Sequence, residues 1–178
     1  MRRTKISDIT RIGLMTVIIA ICSWITVPFL IPFTLQTFGI FLSLKILGAK
    51  KGTISILVYI LIGMAGVPVF SGFRGGFGHI MGPTGGFIVG FLFSGILYWI
   101  FEKGASKNKV FGILKMIVSL MVCYVFGSLW FYVSYGKMQS MSISRVMLLC
   151  VVPFILPDIL KILLADYIAE KVKKHISI

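Results

Sequence analysis

Asp158 and Lys161 lie three residues apart in PFILPDILKILLA, a segment otherwise apolar enough to sit in a membrane. At that spacing on a helix both side chains project from one face. A carboxylate accepts hydrogen bonds and an ammonium donates them, so the pair can hold a polar group with N–H on one edge and C=O on the other. Each charge costs on the order of 3 kcal/mol to place in hydrocarbon, so a chain that keeps both has a use for them. The use is either a ligand or an internal ion pair that neutralises itself or fixes a neighbouring helix. Asp166 and Glu170, further along, read as a solvated helix end, with Glu170 four residues before Lys174.

Composition sets the elements that must carry this pair. The chain has 178 residues, 58% of them hydrophobic, and a mean hydropathy of +1.02. That exceeds what a soluble core of this size can hide. Six spans of about 20 residues use roughly 120 residues, so we expect one all-α integral membrane domain over 1–178, a six-helix transmembrane bundle in the lipid bilayer with structured extracytoplasmic loops. No room remains for a soluble catalytic domain. The net charge of +13 does not point to nucleic acid, because the basic residues mark the ends of apolar runs. The basic start precedes a long apolar stretch without a small-residue cleavage site, and reads as a retained first helix. Cys22, Cys123 and Cys150 stand singly and read as packing residues; no metal, catalytic residue or cofactor is expected.

The stretch from Ile12 to Leu44 is uncharged and too long for one span, and Pro28 and Pro32 divide it. Helices are expected near 9–27, 35–48, 52–69, 86–101, 111–135 and 153–174, with Lys50 and Lys51 closing the second. Glycines 72, 75, 76, 78, 82, 85 and 86 exclude a stable helix between the third and fourth and imply a folded loop. Pro153 and Pro157 fit the first turn of the last helix, leaving 137–152 as a loop with a short interfacial helix. Lysines and arginines crowd one side of this topology and leave only Arg74, Lys137 and Arg145 on the other, apart from Lys161 within the last helix. Both termini are therefore expected in the cytoplasm. The proline loop, the glycine loop and the start of the last helix share the outer side, above Asp158 and Lys161.

On that side Thr34 and Gln36 offer a hydroxyl and an amide at the start of the second helix. The glycine loop carries Arg74 and His79 as its ionisable groups. It lacks the phosphate-binding pattern GxxxxGK[ST] and the third glycine of a dinucleotide fingerprint. Its Gly75, Gly76 and Gly85 either let backbone approach a ligand closely, as in a lid, or shape a re-entrant connector whose Arg74 reaches headgroups. On the first helix Thr16 and Ala20 form a small pair that permits close helix contact.

PFTLQT after the first helix, YILIGMAGVPVFSGFRGGFGHIMGPTGGFIVGF in the middle and LPDILK in the last helix together resemble the BioY family, over most of residues 9–170. Members of that family are the biotin-specific substrate-binding subunits of energy-coupling factor transporters. The resemblance implies a subunit of the bacterial cell membrane that captures biotin from outside and does not itself hydrolyse ATP. It also implies partners, a transmembrane coupling subunit and two cytoplasmic ATPases. The family's Asp and Lys map onto Asp158 and Lys161, its glutamine onto Gln36, and its glycine-rich loop onto 72–86. Two alanines four apart on helix 1 often dock the coupling subunit in this class; here Thr16 replaces the first and Ala20 follows. Biotin's ureido group would suit Asp158 and Lys161, and its carboxylate would need Arg74 or loop N–H groups. Alternatives are the same kind of subunit for another vitamin, or a non-transport assembly protein. An aspartyl enzyme would want two facing membrane aspartates and a metalloenzyme clustered histidines, whereas His79 and His175 lie far apart.

Overall fold

The computed structural model describes residues 2–28, 31–102 and 109–175. Lys103 and Lys107, used in the topology reading, lie outside the described residues. Helix α1 runs Arg2–Trp24, α2 Gln36–Leu47, α3 Ala49–Met64, α4 Phe77–Met81, α5 Gly85–Glu102, α6 Lys109–Phe131, α7 Ile143–Cys150 and α8 Val152–His175. Among the described residues four helical stretches are long and apolar enough to cross a membrane: Ile6–Trp24, Gly85–Glu102, Lys109–Gly136 and Ile143–His175. The chain is a multi-pass integral membrane protein. Its lipid faces are explicit: Leu14, Val17 and Ile21 on α1, and Val118, Met121, Val125 and Leu129 on α6, recur at helical spacing and are exposed.

The helices approach closely where small residues meet. A Cβ on Gly86 would press on Trp130, one on Gly127 on Phe87 and one on Gly90 on Cys123, so α5 and α6 touch along their lengths. Ser94 reinforces this seam by donating to the Ser119 carbonyl at 2.6 Å.

Several boundaries differ from expectation. The uncharged connector after α1 is a two-stranded antiparallel ribbon, β1 (Thr26–Val27) and β2 (Phe33–Thr34), pairing Thr26 with Thr34 and Val27 with Phe33. β-branched and aromatic residues favour this extended pairing, and it ends α1 three residues early. Lys50 and Lys51 do not close α2; they open α3, because Gly48 at φ +80 makes the turn and Glu102 of α5 accepts from the Ala49 N–H at 3.0 and 3.1 Å. α3 accordingly starts and stops earlier than 52–69, ending where Gly66 takes φ +103. The glycine loop contains one short helix, α4, which a glycine count alone excluded. α6 ends in a single π-helical turn, Tyr132–Gly136. α7 fits the short helix expected within 137–152, and Ser142 caps it by accepting from the Arg145 N–H at 3.3 Å.

α8 begins at Val152, so Pro153 stands in its first turn but Pro157 lies inside the helix, against expectation. Helices packed in a bundle tolerate such a proline because neighbouring groups satisfy the freed carbonyl. Asp166 is not solvated either. It is 1% exposed and pairs with Lys45 of α2 and, at 3.8 Å, with Lys109 of α6. Glu170 meets Lys109 at 2.6 Å instead of Lys174. Those partners come from distant helices, which i+4 spacing does not register.

Candidate ligand-binding site

α8 delivers Asp158 and Lys161 to the bundle interior, 3% and 7% exposed. Lys161 Nζ donates to Asp158 Oδ1 at 2.8 Å and to the Thr34 carbonyl of β2 at 2.6 Å, and lies 4.1 Å from the centre of the Phe33 ring. The other carboxylate oxygen, Asp158 Oδ2, accepts from the Tyr124 hydroxyl of α6 at 2.7 Å. The pair thus ties α8 to α6 and to the ribbon that closes one end of the bundle, termed outer from the sequence expectation. Gln36, at the first turn of α2, donates its amide to the Tyr59 hydroxyl at 3.1 Å, and Tyr59 donates to the Val69 carbonyl at 3.2 Å. Thr34 Oγ1 accepts from the Gln36 N–H at 3.2 Å, so its side chain orients the start of α2 while its carbonyl meets Lys161.

These groups line one cavity. Thr34, Gln36, Tyr124, Asp158 and Lys161 form its polar side, and Ile31, Phe87, Ile88, Phe91, Leu120 and Phe154 its apolar walls. Its volume is about 70 Å³. A larger cavity of about 490 Å³ adjoins it on the side of the ribbon and the glycine loop, sharing Pro32, Ser71 and Thr84 and adding Arg74, His79 and Tyr135. The two form a narrow inner chamber with a self-paired acid and base, and a wider outer chamber with a guanidinium and an imidazole.

Hydrogen-bonding capacity remains in the inner chamber. An ammonium has three donors, and Lys161 places two of them among the described residues; each carboxylate oxygen of Asp158 accepts one bond there and has room for another. Such a site can add a ligand bearing both N–H and C=O without stranding a charge.

Of the residues singled out from sequence, Asp158, Lys161, Gln36 and Thr34 converge on the inner chamber and Arg74 on the outer one. Gly75, Gly76 and Gly85 line neither. A Cβ on Gly75 would run into the Val67 carbonyl and one on Gly85 into the Ile80 carbonyl, while Gly76 holds φ +92. These glycines shape the loop instead of contacting its contents. Thr16 and Ala20 are each 5% exposed, and the Thr16 hydroxyl lies 3.2 Å from the Ser55 carbonyl of α3. Both residues are buried instead of presented at a surface, Thr16 against α3. Sequence reasoning missed Tyr124, whose signal was a phenol in the middle of an apolar span, and Phe33, whose role depends on the ribbon.

The sequence profile of the BioY family matches residues 1–178. A probable biotin transporter BioY of Pyrococcus horikoshii is 38% identical over 143 residues, covering 80% of this chain and 81% of that one. The biotin transporter BioY of Thermotoga maritima is 34% identical over 172 residues, covering 94% and 96% respectively. In three dimensions the fold matches a solved S-component for biotin from an ECF-type ABC transporter, with a TM-score of 0.86 at 24% identity over 98% of this chain and 94% of that one. With the profile spanning every residue and these relatives aligned along most of their length, the chain belongs to the BioY family.

Proposed function

We propose that this chain is a biotin-capturing membrane subunit of six spans with both termini in the cytoplasm, forming one domain over 1–178. It takes the vitamin from outside and hands it inward with a transmembrane coupling subunit and two ATPases. The observation that carries this reading is the pairing of two joined chambers with opposite chemistry. The inner one has an acid and a base with spare capacity beside Gln36; the outer one carries Arg74. Biotin has a ureido group at one end and a carboxylate at the other. The ureido carbonyl accepts the third Lys161 donor, and its N–H groups donate to Asp158 and to Gln36 Oε1, which no donor reaches among the described residues. The thioether ring lies against Phe91 and Phe154, where sulfur packs favourably on aromatic edges. The carboxylate points outward to Arg74. The names of the relatives, biotin transporters over nearly the same length, support the same ligand.

Isothermal titration of the detergent-purified chain with biotin tests this, with thiamine and riboflavin as controls. The expected result is saturable binding of biotin alone, about one per chain. Saturation by thiamine or riboflavin instead would assign the subunit to another vitamin, and no binding of any of them by a folded sample would remove the capture role.

A further inference from the structure

We propose that His79 joins Arg74 in a carboxylate subsite of the outer chamber, and that its imidazole takes up a proton from solvent as an anionic ligand seats there. The proposal deepens the biotin reading and rests on it. Both residues line the outer chamber, and so do Thr26, Ser71, Thr84 and Tyr135, all uncharged at neutral pH. Among the described residues no carboxylate lies within 4 Å of Arg74, so its charge faces the chamber without a counter-ion. The acid nearest inward, Asp158, is already bound to Lys161 and Tyr124.

His79 is held in a fixed attitude. Its ring stacks on Phe70 with centroids 5.4 Å apart and planes at 22°, and Phe70 is fully buried, with the Tyr59 ring edge-on to it at 5.6 Å. Phe70 and Arg74 are joined by a pair of backbone hydrogen bonds at 2.8 and 3.3 Å, so the residue whose ring carries the imidazole is also tied to the backbone that carries the guanidinium. Nε2 of His79 is shielded from solvent and has no hydrogen-bond partner among the described residues.

The electrostatics agree in sign. Burial first, and the Arg74 guanidinium second, hold the imidazole below its usual 6.5, so it is neutral in the empty site. Its other titratable neighbours are Tyr135 across the chamber and Tyr59 beyond Phe70. An incoming carboxylate favours the charged ring and raises its pKa. The complex then binds more protons than the free protein. Affinity therefore rises as pH falls through the bound-state pKa and levels off below the free-state one. The ring nitrogen gains a proton and donates N–H to the carboxylate; no other bond changes.

The experiment is titration of the full chain with biotin and with biotinamide, at pH 8 and pH 6, in buffers of differing ionisation enthalpy. Wild type should bind biotin more tightly at pH 6 with net proton uptake, and biotinamide with neither effect. Arg74→Gln should weaken biotin about 10-fold, the scale of one charged hydrogen bond. His79→Gln should abolish proton uptake, and both variants should narrow the wild-type preference for the acid over the amide. Binding of biotin by wild type without proton uptake overturns the subsite and leaves the biotin reading intact, and this arm needs no variant. Equal treatment of acid and amide by wild type and Arg74→Gln also overturns it, assigning Arg74 to lipid headgroups. Wild type that binds neither ligand overturns the biotin reading and the subsite with it.

Discussion

Two acid–lysine clusters sit about 12 Å apart along α8, eight residues at 1.5 Å each, and only the outer one lines a described cavity. At the outer end Asp158 and Lys161 share one helix face and keep unused donors and acceptors toward the inner chamber. At the inner end Asp166 is as deeply buried, but it is gripped by Lys45 of α2 and Lys109 of α6, and Lys109 also holds Glu170. Burial of charge therefore does not by itself mark a binding site. What separates the clusters is where their spare hydrogen-bonding capacity points. The inner cluster closes three helices on one another, and the outer one leaves room for a guest.

Substitutions should split the clusters into stability and affinity effects. Asp166→Asn should cost about 3 kcal/mol of stability, the low end for breaking a buried pair because Lys109 is more than half exposed, while biotin affinity stays unchanged. Thermal unfolding with parallel titration checks this, and a loss of affinity without a loss of stability would erase the distinction. Asp158→Asn or Lys161→Met should do the reverse, weakening biotin by at least about 2 kcal/mol in a folded protein. A smaller contrast comes from Tyr124→Phe, which removes one hydrogen bond to Asp158 and should lower affinity by about 1 kcal/mol. Smallest of all, Thr16→Ala should reduce stability by about 0.6 kcal/mol, the average for a hydrogen bond between membrane helices, without touching affinity.

Much of the outer site was legible because its signals are local. Charge within an apolar run singles out Asp158 and Lys161, and i, i+3 spacing puts them on one face whatever the rest of the chain does. Gln36 stood out as a polar residue at a helix start, and the family resemblance assigned it to the site. The partners were not legible, because Tyr124, Phe33 and Tyr59 reach the site only through helix packing and a ribbon whose register a sequence does not print. The same long-range pairing hid the inner cluster, since Lys45 and Asp166 are separated by most of the chain. α4 escaped notice because the glycines around it, not within its five residues alone, dominated the composition. Pro157 misled for a related reason: its position in the helix depends on where α7 ends and α8 begins, at Val151.

Binding of biotin through the spare capacity of Asp158 and Lys161 is tested by titrating biotin into wild type and Lys161→Met side by side, with thermal unfolding confirming that both are folded. Saturable binding by wild type that falls by at least about 30-fold in the variant is the predicted result, the equivalent of 2 kcal/mol. Equal affinity in the two folded proteins would contradict the account, and would return the pair to the role of an internal tie between α8, α6 and the ribbon.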